Sequence, residues 1–420
     1  MKATHLFLGS LLATFLTTNC YAQIPKANEG DWPWWRGPNF NGVADGQESP
    51  TTWSKSTNVA WVAPIPGRGH SSPTVVGNRI FLTTADEQAE VQSVLCFDRS
   101  SGKQLWKQDI HRGGFPSKIN RKNTHASTSV ACDGKSLYAS FLNQDGVQIV
   151  RMDMDGKIVW QQDAGKFTPN QYKNGYSASP LIYGDLVIVA GDYDGEGSFL
   201  AAHERATGKP KWKISRPAKV NYASAVVAHI ASQDQLLLSG GDMVASYAPL
   251  TGKLLWKTEA TTMATAGTMV WDGEFVFASG GYPEAETACI RADGSGEVVW
   301  RNNTKCYEQS MLAAGGFVYA INDNGFAICW DGLTGEEKWR ERLQGPVSAS
   351  PVLVGDRIYA SNERGTTWVF RATPEKFDLI AKNQLGSEAF ASPTICGNKI
   401  FLRVADSSGE KRQEFLYCIE

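Results

Sequence analysis

Nine residues with chemically useful side chains stand just ahead of short, mutually similar stretches of the chain. They are His70, His125, Tyr176, Tyr222, Tyr307, Glu308 and Phe390, with Arg68 and Glu388 immediately outside them. Imidazole, phenol, carboxylate and guanidinium groups gathered at one mouth suit the capture of a small polar or aromatic ligand, or of a peptide segment. The stretches themselves carry one hydroxyl each, at Ser72, Thr128, Ser179, Ser224, Thr268, Ser310, Ser350 and Ser392. A nucleophilic serine needs a histidine base and an orienting partner beside it. Eight equivalent hydroxyls are the opposite of one activated residue, and they read as small groups on crowded strands that bond backbone or channel water. No CxxC pair, HExxH or His-rich cluster occurs, so no metal site is expected. His203 and His229 read as surface or turn residues. No paired carboxylates suited to glycoside hydrolysis can be placed, which leaves carbohydrate binding a third-ranked alternative. No catalytic residue is assigned.

The elements that must position these groups are repeats. A turn and strand recur as Ser101-Gly102-Lys103-Gln104-Leu105-Trp106, with equivalents ending at Trp160, Trp212, Trp256, Trp300 and Trp339. Glycine supplies the positive φ of a hairpin turn, and tryptophan follows four residues later. The tryptophans recur every 39 to 54 residues, around the period of a four-stranded propeller blade. Each turn is preceded by a small-residue strand, a turn and an alternating apolar strand, as in Ser72-Pro73-Thr74-Val75-Val76-Gly77-Asn78-Arg79-Ile80-Phe81. Eight such first strands, the weaker ones starting near Thr128, Ser224, Thr268 and Ser310, predict an all-β, eight-bladed β-propeller of four-stranded antiparallel blades. Seven blades plus an aberrant hairpin is the alternative. The eighth blade stops at Glu420 after three strands. The segment Asn58-Val59-Ala60-Trp61-Val62-Ala63-Pro64 reads as its missing outer strand, closing the ring and removing the open edges.

Composition agrees with this picture. Forty-one Gly and 14 Trp in 420 residues suit many tight turns with a repeated aromatic anchor. The formal charge of −2 lacks the basic excess that binding nucleic acid requires. Lys2, the apolar run Leu6 to Leu16 and the ending Cys20-Tyr21-Ala22 read as a cleaved export signal over residues 1–22. Residues 23–56 form a Trp-rich leader, and 57–420 the propeller. Trp32, Trp34 and Trp35 are expected to pack on a propeller flank. The basic loop His111 to Asn123, with Arg112, Lys118, Arg121 and Lys122, reads as solvated. Seven cysteines remain after the signal. Cys96, Cys289, Cys329 and Cys418 share one repeat position and read as small apolar strand residues.

With these turns in view, the chain resembles the pyrroloquinoline-quinone-like (PQQ-like) propeller repeat family, over nearly its whole mature length. That resemblance implies one of two functions: a quinoprotein dehydrogenase holding PQQ and calcium on the axis, or a non-catalytic scaffold such as the outer-membrane assembly factor BamB. The leader Trp32-Pro33-Trp34-Trp35-Arg36-Gly37-Pro38 looks like that of exported BamB-like proteins. Alcohol-oxidising quinoproteins carry two adjacent cysteines beside the cofactor, and none occur here. Glu308 and Glu388 are the only carboxylates placed near first strands, in different blades and without an evident partner. The expected protein is therefore an exported, non-catalytic scaffold without cofactor or transmembrane segment that binds a cell-envelope protein or small ligand, in the periplasm or cell envelope, with secretion as the alternative. A PQQ- and calcium-dependent oxidoreductase is the enzymatic alternative.

Overall fold

Short inner strands crowd around an axis, and in all blades but the last each is followed in the chain by three progressively more peripheral strands. The computed structural model describes residues 23–407, 409 and 411–420; the proposed export signal lies outside the described residues. Eight sheets form, and each contributes one four-stranded antiparallel blade. Blade 1 is typical, with strands Thr74–Val76, Arg79–Asp86, Val91–Asp98 and Gln104–Arg112 in spatial order. Its second and third strands are buried on both faces, whereas no residue of the outer strand is fully buried. The second strand, expected from the sequence to alternate, is instead buried on both faces because blades pack on either side of it.

The eighth blade is closed across the termini. Val59–Ile65 pairs antiparallel with Gln413–Ile419, with Trp61 opposite Cys418 and Ile65 opposite Glu414. The seventh blade carries one strand that the repeats do not announce: Val43–Ala44 of the leader adds in parallel to its inner strand, Val352–Val354.

The Gly-x-x-x-Trp turn is an inter-blade staple. The tryptophan of one blade lies over the turn glycine of the next: Trp61 on Gly102, Trp106 on Gly156, Trp160 on Gly208, Trp212 on Gly252 and Trp300 on Gly335. The indole Nε1 of Trp106 donates to Met154 O at 3.2 Å, and that of Trp160 to Arg205 O at 3.0 Å. Glycine is thus required twice, for its backbone and for its bare face. Gly156 has φ +86°, and a Cβ there would stand 2.9 Å from the Trp106 ring; Gly134 has φ +82° and open space around it. Alanine at Gly134 should cost only the left-handed backbone penalty of about 1–2 kcal/mol. Gly156→Ala must also displace Trp106 and should cost at least about 1 kcal/mol more. Urea unfolding midpoints of the two variants check this difference, and equal shifts would deny the staple.

All seven cysteines of the described residues are buried and free. Burial pushes the Cys96 thiol up to about 12, so it packs as an inert apolar group. His229 is exposed, but His203 is buried, contrary to its expected surface place. Its Nδ1 lies 2.9 Å from the carbonyl of Gly208. The blade's second and third strands bury that position, and the imidazole meets the turn carbonyl there.

Candidate functional site

The inner strands surround a channel whose two ends are occupied differently. The end where each first strand turns into the second is covered by the leader. Asp31 accepts from Gly77 N (2.8 Å), Trp32 bridges Val75, Pro33 O accepts from Cys132 N (2.8 Å), and Gly42 O accepts from Leu353 N (2.9 Å). The leader therefore crosses from blade 1 to blade 7 instead of lying on an outer flank. Trp32 and Trp34 are buried, and Trp34 stacks on Phe40 at 5.0 Å. Arg36 is buried as well, donating to the carbonyls of Pro351 and Met311 at 2.8 Å and of Asn41 at 3.0 Å. Burial among carbonyls without a carboxylate pulls its guanidinium down to about 9.

Above this plug runs a belt of hydroxyls. The amide of Ser72 donates to Ser129 Oγ, Ser129 to Ser179, Ser179 to Ser224, Thr268 to Ser310, Ser310 to Ser350, Ser350 to Ser392, and Ser392 back to Ser72, all between 2.8 and 3.1 Å. Seven of the eight predicted positions fall in the belt. In blade 2 the member is Ser129 and not Thr128, whose hydroxyl turns back to Ser140 O. That blade carries two adjacent hydroxyl residues, and the one five residues before its turn glycine takes the equivalent place. Between Ser224 and Thr268 the leader intervenes, and Trp35 Nε1 donates to Thr268 Oγ1 at 2.8 Å.

The other end opens as a cup of about 190 Å³ floored by Trp35, Ser72, Ser179, Ser224 and Ser392. Five of the nine residues singled out from sequence line it: His70, Tyr222, Tyr307, Glu308 and Phe390. His70 stacks on Phe390 with centroids 4.5 Å apart. Burial, reinforced by Arg68, Arg403, Arg412 and Lys122, holds the imidazole well below its ordinary value and hence neutral. Tyr222 accepts from Asn174 Nδ2 at 2.7 Å, and burial pushes its phenol up to about 12.

The other four lie outside the cup. Tyr176 is buried between blades and donates to Ala190 O at 3.0 Å. His125 stacks on Phe115 at 4.1 Å. Arg68 pairs with Glu87 at 3.3 Å and donates to Arg121 O. Glu388 pairs with Arg412 at 2.8 Å, and although burial opposes it, that partner and Ser407 lower its carboxyl below the ordinary range.

The loop before blade 2's inner strand forms part of the site that the repeats could not indicate. It crosses the mouth as a strap, with Asn120 N donating to Asn174 O at 3.3 Å. Lys122 reaches Glu308 at 3.0 Å and Glu363 at 2.7 Å. Ser348 stands between these carboxylates and donates to Glu363 at 2.7 Å. Lys122 is thus not a solvated lysine, and Glu308 does have partners. Burial pulls the ammonium down, but the two carboxylates outweigh it and hold it above its ordinary value.

The donor set does not suit PQQ with calcium. Calcium takes six to eight oxygens, commonly including several carboxylates, and Glu308 is the one carboxylate lining the cup. It and Glu363 are already engaged by an ammonium, and no group of three metal-binding His, Cys, Asp or Glu occurs among the described residues.

Known proteins give this architecture its family. The family model for outer membrane protein assembly factor BamB matches residues 90–341 and 286–374. The assembly factor BamB of Bordetella pertussis is 22% identical over 357 residues, which cover 80% of this chain and 82% of that protein. Among solved structures, BamB from Moraxella catarrhalis superposes with a TM-score of 0.61 at 13% identity, covering 86% of this chain and 99% of that one. A europium-containing methanol dehydrogenase reaches a TM-score of 0.66 at 13% identity, with 90% of each chain covered. The fold is thus shared by scaffold and enzyme, while the sequence match sides with one of them: this chain belongs to the BamB family of PQQ-like β-propellers.

Proposed function

We propose that the protein is an exported, non-catalytic scaffold of the cell envelope that docks a protein partner on the strapped face of its propeller. The observation that carries this reading is the state of the charges at the channel mouth. Lys122 bridges Glu308 and Glu363 across the blades, so the one carboxylate lining the cup is held in an ion pair and offers neither a free carboxylate base nor a calcium ligand set. Family membership and the similarity to assembly factors support a role in holding other envelope proteins. Beside the cup, Tyr172 and Tyr282 meet edge to face at 5.7 Å, with Tyr282 42% exposed. Together with Met263, Tyr307 and Tyr222 they form an aromatic rim, the composition that anchors interfaces.

The test is capture of envelope proteins from detergent extracts by the immobilised mature chain. The double variant Tyr172→Ser/Tyr282→Ser should retain its melting temperature and lose about tenfold or more in capture of the specific partners, as expected for two interface tyrosines. Undiminished capture would place docking elsewhere. Dye-linked alcohol oxidation after loading with PQQ and calcium would overturn the non-catalytic reading.

A further inference from the structure

The hydroxyl belt leaves protons that the protein itself does not use. Each belt serine accepts an amide from the neighbouring blade. For Ser72, Ser179, Ser224 and Ser392, none of the described residues accepts the hydroxyl proton in return. These four are only 4 to 6% exposed, yet all face the cup. Facing the open cup, these hydroxyls can donate to water or to the acceptors of a ligand, so four of them at one floor form a donor surface. His70 lines the wall of the same cup, and its buried Nε2 has no partner among the described residues.

The remaining walls narrow the choice of ligand. Trp35, half-buried, lines the floor, and the Phe390 and Tyr307 rings line the sides. Nearer the mouth, Glu308 offers acceptors, while Asn120, Asn123 and Asn174 carry amides that both donate and accept. One ammonium between two carboxylates leaves an excess of negative charge there, which disfavours an anion. The volume, about 190 Å³, lies below the roughly 300 Å³ at which drug-sized pockets begin, so one ring fits better than a chain.

We propose that the cup binds one neutral sugar ring, its hydroxyls accepting from the belt serines and donating toward Glu308, and its apolar C–H face against the Trp35 ring. A pyranose matches donors below, acceptors above and an aromatic plane. This binding does not rest on the proposed docking, although Tyr222 and Tyr307 belong both to the cup wall and to the aromatic rim.

Saturation-transfer NMR and calorimetry on the mature chain, with glucose, galactose, mannose and N-acetylglucosamine as separate probes, test it. Ala266 lines the cup and packs beside the Tyr222 cluster, and its backbone N donates to Tyr307 O at 2.9 Å. Ala266→Phe therefore fills the space without removing a hydrogen bond. The expected result is binding of at least one probe, weakened about tenfold or more by Ala266→Phe, with the melting temperature unchanged. A second variant, Trp35→Phe, keeps a ring on the floor and should weaken binding less than the filled cup does. No binding of any probe, or binding that survives Ala266→Phe, overturns the proposal. Loss of partner capture in Tyr172→Ser/Tyr282→Ser with sugar binding intact would show the two sites to be separate.

Discussion

Replacing Val59–Ile65 by an equally long Gly/Ser stretch is expected to abolish cooperative folding. The substitution keeps the leader attached, so only the closing strand is lost. Six register pairs join this strand to Gln413–Ile419, and net hydrogen bonds are worth about 1 kcal/mol each. Ile65 is fully buried and Ala63 nearly so, adding about 1.5–3 kcal/mol for the isoleucine alone. Trp61 covers Gly102 and donates to Arg99 O at 3.1 Å, so blade 8 also loses its staple to blade 1. The sum approaches the 5–15 kcal/mol of total stability typical of a folded protein, and the exposed third strand becomes an edge open to aggregation. Circular-dichroism melting and size-exclusion chromatography check the outcome. A sharp, monomeric transition within a few degrees of the parent would refute closure by this strand. Partial recovery on adding a peptide of residues 57–66 in trans would locate the defect in the missing edge.

How much was legible in advance follows from what repeats and what does not. Blade number and closure could be read because each blade must solve the same packing problem, with glycine under tryptophan and small residues at the axis. The belt was legible for the same reason, and its one slip, Thr128 for Ser129, arose where two adjacent hydroxyl residues fit one pattern. The cup was legible only in part. His70, Tyr222, Tyr307, Glu308 and Phe390 project into it, whereas Tyr176, at a comparable place before its strand, turns into the gap between blades. In that blade Ser177, one position on, lines the cup instead, and Tyr307, at the same offset as Tyr176, shows that the loop path and not the offset alone decides the side. Trp35, Lys122 and Glu363 were illegible as site residues. They come from an aperiodic leader, a strap and a distant blade, and their meeting depends on contacts with large sequence separation. Glu308 lacked an evident partner for that reason, since Lys122 lies 186 residues away along the chain.

The second large effect is expected from Glu414→Gln. Arg403 and Glu414 form an ion pair at 2.6 Å with both side chains only 2% exposed. Arg403 also donates to Ser71 Oγ at 2.9 Å and to Thr83 O at 2.8 Å, tying the last blade to the first. Burial already pulls the guanidinium below its ordinary value, with Glu414 opposing it. Removing the carboxylate charge leaves a buried cation facing neutral groups, which costs about 3–5 kcal/mol. Glu388→Gln is the matched control. It breaks the pair with Arg412, whose side chains are 28% and 31% exposed, and such partly exposed pairs contribute only about 0–1 kcal/mol. Urea unfolding should therefore separate two charge-neutralising changes in one network by several-fold in free energy. If the two shifts were equal, the buried pair would not be the element locking the ring. The double replacement Arg403→Met/Glu414→Leu completes the argument. A well-packed apolar pair commonly matches a buried ion pair in stability, so it should recover most of the loss. Recovery would mean that the cost of Glu414→Gln lies in the stranded charge of Arg403, and that closure at the termini rests on burial at this junction as well as on strand pairing.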